Sequence, residues 1–147
     1  MESDWLLLDR QLCFAVHAAS RAFDGAYRRV LGGLGLTYPQ YLVMLVLWER
    51  EPVTVKELGT ALRLDSGTLS PLLKRLEAAG FVRRERSRAD ERSVLVRLTP
   101  EGRRLKERAA DVPKTIVGSS GLDPRELAEL RSTLRRLTAT LDAAVGA

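Results

Sequence analysis

Cysteine and histidine each occur once in this chain of 147 residues, at Cys13 and His17. A single cysteine excludes an intramolecular disulfide and fits a reducing compartment. One histidine and no second cysteine leave no clustered metal ligands and no hydrolase triad, and no Gly-rich phosphate loop is present. No cofactor, metal site or catalytic residue is therefore expected, and the chain does not read as an enzyme. No apolar run approaches the roughly 20 residues of a membrane span. The Leu6–Leu8 run is too short, and its flanks too acidic, for a signal peptide. The expected location is the cytoplasm, with no membrane partner. Internal repeats and low-complexity segments are also missing.

What is present is positive charge, and it is concentrated. The chain carries a formal net charge of +5. Residues 63–108 hold 13 basic and 7 acidic side chains, whereas residues 1–62 hold 6 and 7 and residues 109–147 hold 5 of each. The surplus thus sits on one stretch, which points to nucleic acid rather than to a generic solvated surface.

That stretch has a legible pattern. Leu69, Leu72, Leu73 and Leu76 fall at i, i+3, i+4 and i+7, one apolar stripe of a helix. Asp65 stands where an N-cap belongs and Gly80 where a C′ glycine belongs. Pro71 is expected to cost little, as one of the early amides. Before this helix, Thr54 and Glu57 form a capping box for a short helix ending near Leu62. Short helix, tight turn, then a helix with a polar start is helix-turn-helix syntax. Phe81–Ser87 and Ser93–Thr99 follow as two strands around a polar turn, a β-hairpin wing.

On the reading helix, Ser66, Gly67, Thr68 and Ser70 are small residues suited to a major groove. Lys74 and Arg75 suit phosphates or a guanine edge. In the wing, Arg92 is assigned to the minor groove, oriented by Asp90. Arg84, Arg86 and Arg88 are phosphate candidates, and each taken singly is equally consistent with solvated surface.

Helices flank this unit. Residues 5–35 read as one long helix with a seam of Leu12, Val16, Ala19, Phe23, Ala26 and Val30, near heptad spacing. Asp9 is its candidate N-cap, with Ser3 or Asp4 as alternatives, and Gly32, Gly33 and Gly35 end it. Thr37–Gln40 opens a second helix whose body, Tyr41–Trp48, is apolar nearly all round and should be the central buried element. Thr99-Pro100 caps a further helix running toward Val117, with Pro113 kinking or interrupting it. Gly118–Gly121 reads as a break. Asp123–Glu126 is a capping box for a last helix, with Leu127, Leu130, Leu134, Leu137 and Leu141 on its seam.

The expectation is one mainly α domain with a small β-hairpin wing. Residues 36–99 form the winged helix-turn-helix, and residues 5–35 and 100–147 supply dimerisation helices. A homodimer places two reading helices about a two-fold axis, matching a pseudo-palindromic operator in double-stranded DNA.

The chain resembles the MarR family of winged-helix transcription regulators over nearly its whole length. The capping box at Thr54, Leu64 to Gly80, Asp90-Glu91-Arg92-Ser93 and Leu98-Thr99-Pro100-Glu101-Gly102 carry that resemblance. More narrowly it is similar to the organic hydroperoxide resistance regulators, known as OhrR. Gln11-Leu12-Cys13-Phe14, Tyr27, Thr37-Tyr38-Pro39-Gln40-Tyr41-Leu42 and Leu64 to Leu69 carry the narrower match. With no second cysteine, the chain falls with the one-cysteine type.

Taken alone, a single cysteine on a helix seam reads more readily as a small buried hydrophobe than as a sensor. A place in the first turns of its helix favours the thiolate, which attacks peroxide. His17 lies at i+4 on the same face and would favour thiolate if protonated. It reads more readily as a solvent-facing or interface histidine. Tyr27 is 14 residues beyond Cys13, about 21 Å along one straight helix at ~1.5 Å per residue. A phenol cannot span that.

The resemblance implies that the Cys13 thiol instead hydrogen-bonds Tyr27 and Tyr38 of the other subunit. It further implies a repressor that leaves its operator when an organic hydroperoxide oxidises Cys13. The oxidised cysteine then condenses with a low-molecular-weight thiol, forms a sulfenamide or over-oxidises. The competing expectation is a MarR-type regulator released by a phenolic ligand, with Cys13 incidental.

Overall fold

The computed structural model of the protein describes residues 2–146, with side chains described from Asp4 onward. By its internal contacts the chain divides into two units, residues 1–112 and 113–147. The first helix and the helix after the β-hairpin therefore group with the helix-turn-helix within one chain.

The first unit begins with two 3-10 turns, Glu2–Leu6 and Leu8–Arg10. Helix α1, Leu12–Leu31, follows. It starts later than expected, so Asp9 is not its cap: Asp9 lies inside the second 3-10 turn. Asp4 lies in the first turn, and the Ser3 side chain falls outside the described residues. The N-cap position is Gln11, which makes no side-chain cap bond. Its amide nitrogen donates instead to the carbonyls of Trp5 and Leu7, at 2.6 and 2.9 Å. A turn at Gly32–Leu34 ends at Gly35, whose left-handed backbone (φ 71°) favours glycine.

Helix α2, Tyr38–Glu49, is capped by Thr37 and Gln40, which bond each other's backbone amides reciprocally. Gln40, Tyr41, Val43, Met44 and Leu47 are buried, so α2 is the central core helix. After it comes β1, Val53–Thr54, a strand too short to be read from sequence. Helix α3, Val55–Leu62, has the expected capping box between Thr54 and Glu57. Helix α4, Ser66–Ala78, is capped by Asp65, whose carboxylate accepts from the Thr68 amide at 2.7 Å. All four leucines of the predicted stripe are buried. Each contributes about 1.5–3 kcal/mol through burial. Gly80 adopts φ 84° just beyond the helix end, as its C′ role requires.

Pro71 departs from expectation. It is the sixth residue of α4, past the four amides that no helix partner could reach. The amide it lacks would have bonded the Gly67 carbonyl, so Pro71 removes a helix hydrogen bond rather than an orphan donor.

Strands β2, Val82–Arg86, and β3, Val94–Leu98, pair antiparallel with Val82 opposite Leu98 and Arg86 opposite Val94. β1 joins the other edge of β3, with Val53 opposite Val96. Val53, Val82, Val96 and Leu98 are buried and close the core under the wing.

Helix α5, Pro100–Ala109, is capped by Thr99, whose hydroxyl accepts from the Gly102 amide and donates to the Gly80 carbonyl. It ends at Ala109 instead of running on toward Val117. Helix α6, Val112–Ser120, starts anew with Pro113 in its first turn, where proline costs no bond. Gly118 and the two serines after it lie inside α6, so the expected break narrows to Gly121 and its left-handed backbone. In the second unit, α7 spans Pro124–Gly146, and Asp123 accepts from the Glu126 amide at 2.8 Å. Among the described residues no single helix is long and apolar enough to cross a membrane.

Glu51 ties three elements together. Its carboxylate accepts from the Leu98 amide at 2.7 Å and from Arg103 at 2.7 Å. Burial pushes its carboxyl up, but the Leu98 amide, the Arg103 guanidinium and the charge of Arg97 outweigh burial and hold it below the usual carboxylate range. A depressed folded-state value means this stability is present above pH 4.5, the ordinary value for the group, and is lost as pH falls through the folded value. Glu51→Gln is expected to cost about 1–3 kcal/mol at pH 7 and to flatten the acid limb of the stability–pH curve. Urea unfolding from pH 7 to pH 3 measures both.

Candidate nucleic-acid interface and thiol site

The residues just after Asp65 form the exposed N-terminal end of α4. Ser66, Gly67 and Thr68 are exposed, and Ser70 is half-buried. The Asp65 carboxyl is held low, first by the Thr68 amide and then by its hydroxyl. Thr68 is thus pinned by the cap, which fixes where the small polar residues point. Lys74 and Arg75 are exposed one to two turns further along. Beside this end, an open hollow of about 670 Å³ is lined by Lys56, Thr60, Arg63, Asp65 and Ser66, among others. Sequence patterns do not single out Lys56 or Thr60, which place further polar groups on the same side of the helix-turn-helix.

The wing arginines do not form one class. Arg84 is half-buried, and its Nε meets Glu77 of α4 at 2.5 Å. It braces β2 against the reading helix, so its guanidinium is already engaged. Glu85 pairs with Arg97 across the hairpin. Arg86, Arg88 and Arg92 are exposed and lie in no salt bridge among the described residues. Asp90 organises the turn: its carboxylate accepts from the Arg92 amide at 3.0 Å and from the Ser93 hydroxyl at 3.2 Å. Ser87 Oγ accepts from the amides of Ala89 and Asp90. Asp90 therefore sets the backbone that carries Arg92, leaving the guanidinium free of it.

Cys13 is the second residue of α1 and is exposed. The first-turn amides of a helix have no intrahelical acceptor and favour an anion. His17 is exposed one turn later on the same helix. Tyr27 is also on α1, so one continuous helix separates it from Cys13 of its own chain.

The structure brings Tyr27 and Tyr38 together. Their ring centroids lie 4.4 Å apart, and Tyr41 is 5.8 Å from Tyr27. Burial, then the neighbouring Tyr38 and Tyr41, pushes the Tyr27 phenol up to about 12. Burial and Asp24 raise Tyr38 as well. Both hydroxyls thus stay protonated throughout the neutral range and are available as donors. Nothing in the sequence spacing announces that the two rings meet, because the loop at Gly32–Gly35 sets their approach.

Helices α1 and α7 each carry exposed apolar side chains. Of the 20 residues of α1 only Leu31 is buried. Leu12, Phe14, Val16 and Phe23 are exposed, as are Leu130, Leu134 and Leu141 on α7.

Known proteins resemble this chain in sequence and in fold. A profile of the family described as transcriptional regulator SarA/Rot matches residues 27–109. That span holds the helix-turn-helix and the wing and leaves Cys13 outside it. The organic hydroperoxide resistance transcriptional regulator of Bacillus subtilis (strain 168) is 50% identical over 138 residues, 94% of each chain. Reduced AbfR bound to DNA superposes with a TM-score of 0.83 at 38% identity over 99% of both chains. Overoxidised AbfR bound to DNA gives 0.77 at 40% identity, over 96% of this chain and 99% of that one. A mutant MarR from E. coli, complexed with operator DNA, gives 0.79 at 28% identity over 86% of this chain and 92% of that one.

Proposed function

Since this chain belongs to the MarR-type winged-helix transcription regulators, in the group of the organic hydroperoxide resistance regulators, we propose that it is a homodimeric repressor switched by oxidation of Cys13. That it is a DNA-binding transcription regulator and not an enzyme follows from its relatives. The finer reading rests most on one observation: a first-turn cysteine on the same helix as a tyrosine that it cannot reach, with that tyrosine's ring against Tyr38. Two copies crossing through their uncovered α1 seams would let the thiol of one meet both phenols of the other.

The Cys13 thiolate attacks the terminal peroxide oxygen of an organic hydroperoxide. The O–O bond breaks, an alcohol leaves and Cys13 becomes sulfenate. A low-molecular-weight thiol then displaces water from the sulfenic acid and forms a mixed disulfide. The added bulk and the lost thiolate charge disrupt the hydrogen bonds to the partner's phenols. The two reading helices change their separation, and one half-site is lost. Losing bivalency weakens binding by about a hundredfold or more. Overoxidised AbfR has been observed on DNA, so the mixed disulfide is the form to which we assign release.

A mobility shift on the DNA upstream of the protein's own coding sequence tests this. Reduced protein is expected to bind. Protein treated with cumene hydroperoxide and a small thiol is expected to release. Undiminished binding after Cys13 has been converted would overturn the redox reading.

For the interface, Ser66, Thr68 and Ser70 face the major groove and Arg92 enters the minor groove. Arg86 and Arg88 meet phosphates. Arg92→Ala is expected to weaken operator binding and to lower the slope of log K against log salt by about 1. Arg84→Ala should leave that slope unchanged and lower stability instead, since Arg84 is engaged by Glu77. Binding titrations over a series of salt concentrations separate the two.

A further inference from the structure

An unbroken set of contacts joins the tyrosine pair to the base of the reading helix. It begins with Tyr27 and Tyr38, whose tilted rings lie 4.4 Å apart, and continues to Tyr41, 5.8 Å from Tyr27. Tyr41 meets Trp48 edge-on at 6.4 Å. The Trp48 indole N–H then leaves helix α2 and donates to the Gly102 carbonyl at 2.9 Å. Gly102 sits in the first turn of α5, where a Cβ would lie 2.1 Å from the Phe81 carbonyl oxygen. That same oxygen accepts from the Thr99 amide at 3.1 Å, and the Thr99 hydroxyl donates to Gly80. Gly80 and Phe81 are the joint between reading helix and wing. The path thus crosses from α2 to the DNA-binding elements through one side-chain hydrogen bond.

That bond has room to break. Trp48 is half-buried and borders an open groove of about 250 Å³, lined also by Leu47, Glu51, Leu98 and Arg103. Elsewhere the same elements are held by the Glu51 carboxylate just beyond α2, which accepts from Leu98 and Arg103, and by close-packed aliphatic side chains such as Leu47, Leu73 and Val96, which have little freedom to move.

We propose that Trp48 is the positioning residue that couples the tyrosine pair to the reading helix and wing, through its hydrogen bond to the Gly102 carbonyl. This rests on the redox reading of Cys13 for its trigger, though the coupling itself does not. When the phenols lose their thiol partner, Tyr41 and Trp48 follow the shift of α2. The indole swings toward the groove and releases α5. By thermodynamic reciprocity, DNA seated on the reading helix must also be felt at Trp48.

The experiment uses the full-length protein in two forms. The chain has two tryptophans, Trp5 and Trp48, so Trp5→Phe makes Trp48 the sole tryptophan emitter. Its emission is expected to shift when operator DNA binds reduced protein, and to shift red when cumene hydroperoxide and a small thiol act. The second form, Trp48→Phe, keeps a ring and removes the N–H. It should bind DNA when reduced, but its ratio of reduced to oxidised affinity should fall by about tenfold, the scale expected of a coupling residue. Trp48→Phe protein that releases DNA on oxidation as fully as wild type overturns the proposal. So does Trp48 emission that ignores DNA. If wild type ignores hydroperoxide while Trp48 emission still responds to DNA, the redox reading fails and the coupling stands.

Discussion

Replacing Cys13 with serine is expected to leave operator binding intact and to abolish the response to organic hydroperoxide. Serine is nearly isosteric, and Cys13 lies at the start of α1, on a different element from every proposed DNA contact. Binding free energies at distant sites without shared partners are close to additive, so reduced affinity should match wild type. The response should differ entirely, because a hydroxyl is neither a thiolate nor a peroxide nucleophile. Wild type should lose about a hundredfold or more in affinity on oxidation through lost bivalency, and Cys13→Ser should lose none. Fluorescence anisotropy with labelled operator, before and after treatment, reads both numbers. Conversion of Tyr27 or Tyr38 to phenylalanine removes only one hydroxyl from the thiol and should give an intermediate response.

The second large effect concerns Gly102. Ordinary sequence logic places a glycine in the first turn of a helix as a weak point, one that alanine would improve. Here the opposite is expected. An added Cβ would sit 2.1 Å from the Phe81 carbonyl oxygen and 3.1 Å from its carbon, both backbone atoms that cannot rotate away. The Thr99 cap, the Gly80 turn and the Trp48 bond all converge on the same residues, so relief of the clash moves each of them. Gly102→Ala is expected to destabilise by about 3 kcal/mol, the upper part of the range for overpacking. In thermal unfolding that corresponds to a fall of about 10 °C. Gly25→Ala is the natural control, since a Cβ there meets nothing within 4 Å and the helical site should gain slightly. A neutral Gly102→Ala would mean that α5 approaches Phe81 less closely than described.

These two sites differ in how far the sequence reveals them. Cys13 is legible because cysteine is used only once and because its neighbours Gln11 to Phe14, Tyr27 and Tyr38 carry a family resemblance. Its helical position is less so. Asp9 looks like a cap, but a 3-10 turn intervenes and Gln11 takes the position. A short acidic side chain before an apolar run signals a cap only when the chain reaches the helix without a further turn. Gly102 is visible merely as part of a motif, since its role comes from a backbone oxygen on the far side of the wing.

The same physical distinction runs through the fold. Caps at Thr54 and Asp65, the leucine stripe of α4 and the Gly80 stop are local patterns, and each is readable. The two-residue strand β1, the Glu51 cluster and the Trp48 bond depend on approach between distant segments. The wing lies between these cases. Its arginines are readable as a basic cluster, yet the engagement of Arg84 by Glu77 depends on β2 packing back along α4. Charge counting treats all arginines alike, whereas the structure sorts them by what already holds them.

Oxidation of one thiol is expected to empty the operator, and a single titration checks this. The reduced protein–operator complex is titrated with cumene hydroperoxide in the presence of a small thiol. Each sample is divided between anisotropy and intact-mass measurement. The fraction of DNA released is expected to follow the fraction of Cys13 carried as mixed disulfide, and dithiothreitol to reverse both. Release without modification of Cys13, or full conversion to the mixed disulfide with DNA still bound, would contradict it.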